Sequence, residues 1–252
     1  MRVVDSEHYL VRIGLRRDRV PSFDDYPFCL PVVRNLTELQ LHPKVTYFIG
    51  ENGTGKSTLL EAVAVAYGLN PEGGSRNFAF STRSSHSDLF RYLRVVKGIH
   101  KPKESFFLRA ESFFNLGTEI ERLDAEPSGG PPIIGSYGGR SLHEQSHGES
   151  FFALFMNRFR GNSLFILDEP EAALSPVRQM AFLSVIHDLL KAGSQFIIAT
   201  HSPIILAYPE SVIFELSPEG IRPVPLDQTD PFVVTKDFLN NPRKALDELL
   251  QD

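Results

Sequence analysis

The chain has 252 residues and a formal net charge of −5, enough to bury a substantial core as one α/β domain but without a global basic field for nucleic acid. Its single cysteine, Cys29, excludes an internal disulfide and an all-cysteine metal site and fits a reducing compartment. The charged N-terminus lacks the apolar core of a signal peptide, and no apolar run nears the roughly 20 residues of a membrane helix, so a soluble cytoplasmic protein is expected.

Residues 8–15 alternate well enough to read as a strand, after which Pro21, Pro27 and Pro31 break up an irregular stretch. Residues 36–41 read as a second strand, and His42-Pro43 turns the chain into the apolar run Val45–Ile49. An N-terminal antiparallel sheet is expected here. Tyr26, Phe28 or Tyr47 offers a ring that could stack on a nucleotide base, or is part of the core.

Next comes Gly50-Glu51-Asn52-Gly53-Thr54-Gly55-Lys56-Ser57, followed by a helical pattern from Thr58 to a stop at Gly68 and Pro71. Strand, glycine-rich loop and helix in that order are the context that gives a G-x-x-x-x-G-K-S match its physical meaning. The glycines let consecutive N–H groups face one anion, at a helix N-terminus where orphan donors and the macrodipole favour phosphate. Lys56 supplies a mobile positive charge for the β- and γ-phosphates, and the Ser57 hydroxyl a ligand for Mg²⁺. The chain is expected to bind a nucleoside triphosphate.

Residues 72–86 read as a polar surface loop, and residues 87–100 as a helix carrying Arg91, Arg94 and Lys97, with Lys101 and Lys103 beyond it. This basic run is read chiefly as a solvated helix face, with contact to nucleic-acid phosphates as the sharper alternative. Residues 105–111 are a candidate strand, and Glu111 at its end either stands near the ligand crevice or pairs with Arg109 or Arg122. Residues 117–140, rich in glycine and proline, read as a flexible connection. Ser146-His147-Gly148-Glu149 opens a helix with an aromatic stripe at Phe151, Phe152, Phe155 and Phe159.

Residues 163–169 form an apolar strand ending in Asp168 and Glu169, whose desolvation is costly unless a cation or solvent is present; Mg²⁺ and water chemistry is the expectation. Ser175-Pro176 supplies a cap and first residue for a helix running to Gly193. Residues 195–200 are another buried strand, with His201 at its end read as a nucleotide contact. A hairpin at 211–226 and a C-terminal amphipathic helix around Leu246, Leu249 and Leu250 complete the chain.

Together these motifs resemble the ATPase head of the ABC superfamily, in its soluble SMC, RecF and OLD-like branch. Residues 50–57 match Walker A, 164–169 match Walker B, and Glu171-Ala172-Ala173-Leu174-Ser175 stands where that family has its D-loop. His201 falls at its switch histidine, and Ser146 to Glu149 is similar to its signature motif, with His147 where glycine is usual. The likeness spans roughly residues 40–205. It implies a P-loop NTPase fold: a mostly parallel sheet flanked by helices, an N-terminal antiparallel β subdomain and a small helical insertion, with 1–252 as one domain and about 87–160 as the insertion and signature region. It further implies ATP and Mg²⁺, with Gly50, Glu51, Asn52, Gly53, Thr54, Gly55, Lys56, Ser57 and Thr58 binding ATP and Ser57 and Asp168 on the metal. By the same likeness Glu169 is the general base, His201 the γ-phosphate contact and Lys56 catalytic. Two heads would sandwich ATP, with Ser146, His147, Gly148 and Glu149 acting in trans on a switch for a nucleic-acid or protein client. No glutamine follows the strand ending near Glu111, so Glu111 only marks the Q-loop position. No long coiled coil enters at the short Gly/Pro-rich connection, and no C-terminal nuclease domain is expected.

Two rivals stand beside this reading. A transporter nucleotide-binding subunit shares the motifs, although the Q-loop gap, the unusual signature and the acidic D-loop argue against it. His143-Glu144-Gln145-Ser146-His147 is a literal H-E-x-x-H, but a zinc protease needs both histidines on one face of a continuous helix, and glycines flank this segment. GTPase chemistry is disfavoured because no Asn-Lys-x-Asp motif occurs.

Overall fold

A computed structural model describes residues 8–75, 87–110, 113–126 and 131–250. In chain order its strands are β1 (Leu10–Leu15), β2 (Glu38–Gln40), β3 (Val45–Ile49), β4 (Gly74–Ser75), β5 (Leu93–Lys97), β6 (Glu104–Arg109), β7 (Ser163–Asp168), β8 (Gln195–Ala199), β9 (Ser211–Ser217) and β10 (Gly220–Pro223). The helices are α1 (Pro31–Arg34), α2 (Lys56–Tyr67), α3 (Phe113–Ala125), α4 (His147–Asn157), α5 (Pro176–Lys191), α6 (Pro203–Leu206), α7 (Asp230–Asn240) and α8 (Pro242–Leu249).

β3, β7 and β8 are buried along their whole length, as expected of parallel strands covered on both faces. They form the centre of a sheet ordered β10-β9-β3-β8-β7-β6-β4 among the described residues. β9, β3, β8, β7 and β6 run parallel, with β10 and β4 antiparallel at the edges. Alternate residues of each central strand feed opposite cores. Val45, Tyr47, Phe165, Leu167, Phe196 and Ile198 face one core, whose aromatic ladder stacks Phe155 on Phe182 (4.2 Å) and Phe159 on Phe165 (4.1 Å). Phe48, Leu164, Ile166 and Ile197 face the other, built with α2 and the small antiparallel sheet β2-β1-β5. The expected α/β, mostly parallel architecture is present. No helix among the described residues is long and apolar enough to cross a membrane.

Two local expectations are corrected. Residues 87–100 are not a helix: a short 3-10 turn (Asp88–Tyr92) leads into β5, which pairs antiparallel with β1. Val95 and Val96 favour the strand, and only the distant partner β1 reveals it. The insertion region 87–160 thus contributes strands to both sheets before its helical part. Residues 117–125 belong to α3 rather than to a loop. Leu116 and Ile120 are buried there, and Arg122 bonds Glu119 and Glu126 at helical spacing, which together outweigh Gly117. Both the remaining surface-loop residues 76–86 and Glu111 lie outside the described residues.

Candidate nucleotide site

The end of β3 turns directly into the glycine-rich loop. Gly55 sits at φ +97°, and a Cβ there would come 2.6 Å from Val32 Cγ1, so the loop closes against the N-terminal segment only with glycine. α2 starts at Lys56 with no side-chain cap, leaving its first-turn N–H groups for an anion. The Lys56 ammonium is folded onto the loop itself, donating to the carbonyls of Gly50 (2.6 Å) and Glu51 (3.0 Å). Burial lowers its pKa, opposed by the carboxylates of Glu169, Asp168 and Glu171.

The parallel order β3-β8-β7 brings three strand ends together around this loop. Ser57 Oγ lies 3.2 Å from Asp168 Oδ1 at the end of β7. Two cis ligands on an octahedral Mg²⁺, each at about 2.0–2.1 Å, stand about 3 Å apart, so this pair of hard oxygens fits that ion. Glu169 is left-handed at φ +50°, and its N–H donates to Ala199 O (2.9 Å), which ties the carboxylate's position to the end of β8. His201 Nε2 is 3.9 Å from Glu169 Oε1. Its pKa is lowered by burial and by Lys56, with Glu169 acting in the opposite direction.

Glu171, singled out in sequence only as part of the D-loop, has a structural task of its own. Its Oε1 accepts the backbone N–H of His201 at 2.6 Å, bracing the turn after β8 against the turn after β7. Burial raises its pKa, partly offset by hydrogen bonds that include the His201 amide. The signal was a third acid close behind Asp168, but its partner is a backbone amide 30 residues on, invisible in local pattern. Asp230, at the start of α7, was also missed. It joins Gly50, Glu51, His201 and Glu215 around a cleft of about 260 Å³ beside the loop.

The Ser146 to Glu149 turn forms a separate group. Ser146 caps α4, and the Glu149 carboxylate accepts from its N–H (3.1 Å) and hydroxyl (2.7 Å). A Cβ at Gly148 would lie 2.7 Å from Ala173 O and 2.6 Å from Arg178 Nη1, so the turn docks closely on the D-loop of its own chain. The cations bearing on Glu149 are Arg178 and Arg140.

Several open alternatives are now decided. Phe28 packs edge-on against Tyr92 (4.8 Å) and Tyr47 is buried with its hydroxyl on Ile205 O (2.6 Å), so both rings are core; Tyr26 alone of the three is exposed. Arg109 pairs with Glu61 of α2 at 2.7 Å. The H-E-x-x-H segment is not one helix: residues 141–146 are turns and α4 begins at His147, while His143 Nε2 bonds Thr118 Oγ1 (3.1 Å). No cluster of three His, Cys, Asp or Glu suited to a metal occurs among the described residues.

Residues 27–113 match a AAA-domain family, and residues 133–207 match a second AAA-domain family whose description names the AbiEii toxin and type IV TA systems. The chain is 28% identical over 175 residues to ABC transporter G family member STR2 of Medicago truncatula, a stretch that is 63% of this chain and 24% of that protein. Among solved structures it is similar to a metal-chelate type ABC transporter in an inward-facing conformation (TM-score 0.50, 15% identity, 90% of this chain and 88% of that one). The SMC head domain from Thermotoga maritima aligns with TM-score 0.41 at 15% identity, over 86% of this chain and 99% of that one.

Proposed function

We propose that the chain is an ATPase head of the ABC/AAA type that binds and hydrolyses ATP with Mg²⁺ in the cytoplasm, as a nucleotide-sandwiched homodimer that switches a nucleic-acid or protein client, a reading supported by the two AAA-domain matches. The observation that carries this reading is the 3.2 Å approach of Ser57 to Asp168, with Glu169 and His201 on the adjoining strand ends. Residues 50–58 cradle the phosphates through backbone N–H groups, and Lys56 leaves the Gly50 and Glu51 carbonyls for the β- and γ-oxygens. Ser57 and Asp168 would hold Mg²⁺, which neutralises phosphate charge when bound. Glu169 orients and deprotonates the attacking water, and its left-handed backbone, bonded to Ala199, fixes where the carboxylate points. His201 donates to the γ-phosphate, and Glu171 holds it there through its backbone. Positioning and fixed charge carry most of the catalysis in a loose, charge-spread transition state.

The dimer is supported by the signature turn. Ser146, Gly148 and the start of α4 form a helix end docked on the chain's own D-loop and capped by the Glu149 carboxylate; in the dimer this end faces the γ-phosphate of a second copy, which takes over the Ser146 N–H and hydroxyl from Glu149, with His147 in the place usually held by glycine. Glu169→Gln is expected to keep Mg·ATP affinity, to slow phosphate release by about 10²–10⁴-fold, and to hold an ATP-dependent dimer in light scattering. Normal turnover in that variant would remove Glu169 from the role.

A second reading draws on the 28% identity to a plant ABC transporter: a nucleotide-binding subunit serving a membrane partner. Co-purification with a membrane protein would favour it, whereas ATPase stimulation by nucleic acid or a soluble client would favour the first.

A further inference from the structure

The basic run of residues 91–103 does not stay together in the fold. Arg91 pairs with Asp88 (3.4 Å), and Lys97 lies 4.4 Å above the Tyr67 ring. Lys101 and Lys103 instead meet Lys44, Lys191, His100 and Tyr9 around a cavity of about 560 Å³. Lys44 immediately precedes β3, Lys103 precedes β6, and Lys191 ends α5 just before β8, so the cavity opens at the amino ends of the parallel strands. The nucleotide site occupies their carboxyl ends. Strands of five or six residues separate the two by roughly 17–20 Å.

The walls are held by backbone and buried groups rather than by the lysines. Lys103 N–H donates to Asn162 O (2.8 Å), Asn162 N–H to Ala192 O (2.8 Å), and the Tyr9 hydroxyl to Gly193 O (2.8 Å). Among the described residues, no carboxylate lines the cavity. Lys44 has Glu210 as a partner (2.5 Å), and the acid beside Lys103, Glu104, is engaged by Arg158. Lys101, Lys103 and Lys191 form no ion pair among the described residues. Three unpaired ammonium groups around one concavity of a chain with net charge −5 concentrate positive potential where an anion relieves their repulsion.

We propose that this cavity binds a compact polyphosphorylated small molecule, gripped by Lys44, Lys101, Lys103 and Lys191, independently of the nucleotide site. Its volume is that of a small-ligand pocket. A nucleic-acid backbone spreads its charge along a track and needs many successive phosphate contacts, whereas these lysines line a single cavity.

The test is calorimetric titration of Lys56→Ala protein, in which the loop's grip on phosphate is removed, with inorganic tripolyphosphate at low and physiological salt. Stoichiometric binding is expected, weakening as salt rises, and weakening about tenfold or more when Lys101, Lys103 and Lys191 are all replaced by glutamate. ATP binding by the same triple variant with Lys56 intact reports that the fold is kept. Absence of tripolyphosphate binding in Lys56→Ala, or binding indifferent to the triple replacement, would overturn the proposal. So would a single-stranded oligonucleotide that binds through these lysines more tightly than tripolyphosphate.

Discussion

Replacing Glu171 separates two contributions that one carboxylate makes. Its Oε1 accepts the His201 N–H at 2.6 Å, and Glu171→Ala leaves that amide without its acceptor. An unsatisfied buried donor costs about 1–3 kcal/mol, and in a chain of this size each kcal/mol lowers Tm by about 2–4 °C. Glu171→Gln keeps the carbonyl acceptor and removes the ionisation. Because burial raises the folded pKa of Glu171, the unfolded chain releases its proton first, near the ordinary value of about 4.3. Wild-type stability from this group is therefore full below that pH and is lost as pH rises through the raised folded value. The glutamine variant lacks this loss, so its stability relative to wild type should grow from pH 4 to pH 8. Urea unfolding of the three proteins across that range measures both effects, and steady-state ATPase assays should show Glu171→Ala more impaired than Glu171→Gln. Equal stabilities for the alanine and glutamine variants, or a glutamine curve parallel to wild type, would refute the role assigned to this side chain.

The left-handed backbone at Glu169 (φ +50°) predicts that Glu169→Gly abolishes phosphate release yet raises stability by up to about 1 kcal/mol, read by thermal denaturation. Gly148→Ala pushes a methyl against Ala173 O and Arg178, an overpacking worth about 1–3 kcal/mol; it should keep ATP binding in calorimetry but lose ATP-dependent dimerisation in light scattering. Phe155→Ala opens the aromatic ladder between α4 and α5 at a cost of about 3–5 kcal/mol, measured by denaturant unfolding.

The glycine-rich loop and the acid pair were legible in the linear chain because each is local. A buried strand, a turn and a helix cap occupy consecutive residues, and their chemistry depends on spacing along one backbone. α5 was legible for the same reason, through Ser175 and Pro176 at its start. What failed was whatever a distant partner decides. β5 is a strand because β1 lies beside it, and α3 forms although it contains Gly117 because Leu116 and Ile120 reach the core. Among Tyr26, Phe28 and Tyr47, core was the favoured reading over stacking, and the core does enclose Phe28 and Tyr47 while leaving Tyr26 exposed, a choice among the three that only the packing makes.

The sequence alone thus determined that a glycine-rich loop between a strand and a helix, an acid pair at a strand end and a strand-end histidine exist, since these are runs of adjacent residues with their own periodicity. Only the tertiary structure decided that Ser57 meets Asp168, that Glu171 braces His201, and that Gly148 rests on Ala173. It likewise gathered four lysines from separate segments at the opposite end of the sheet. Strand order and helix packing set those distances, and they arise from burial summed over the whole chain, which no local stretch encodes.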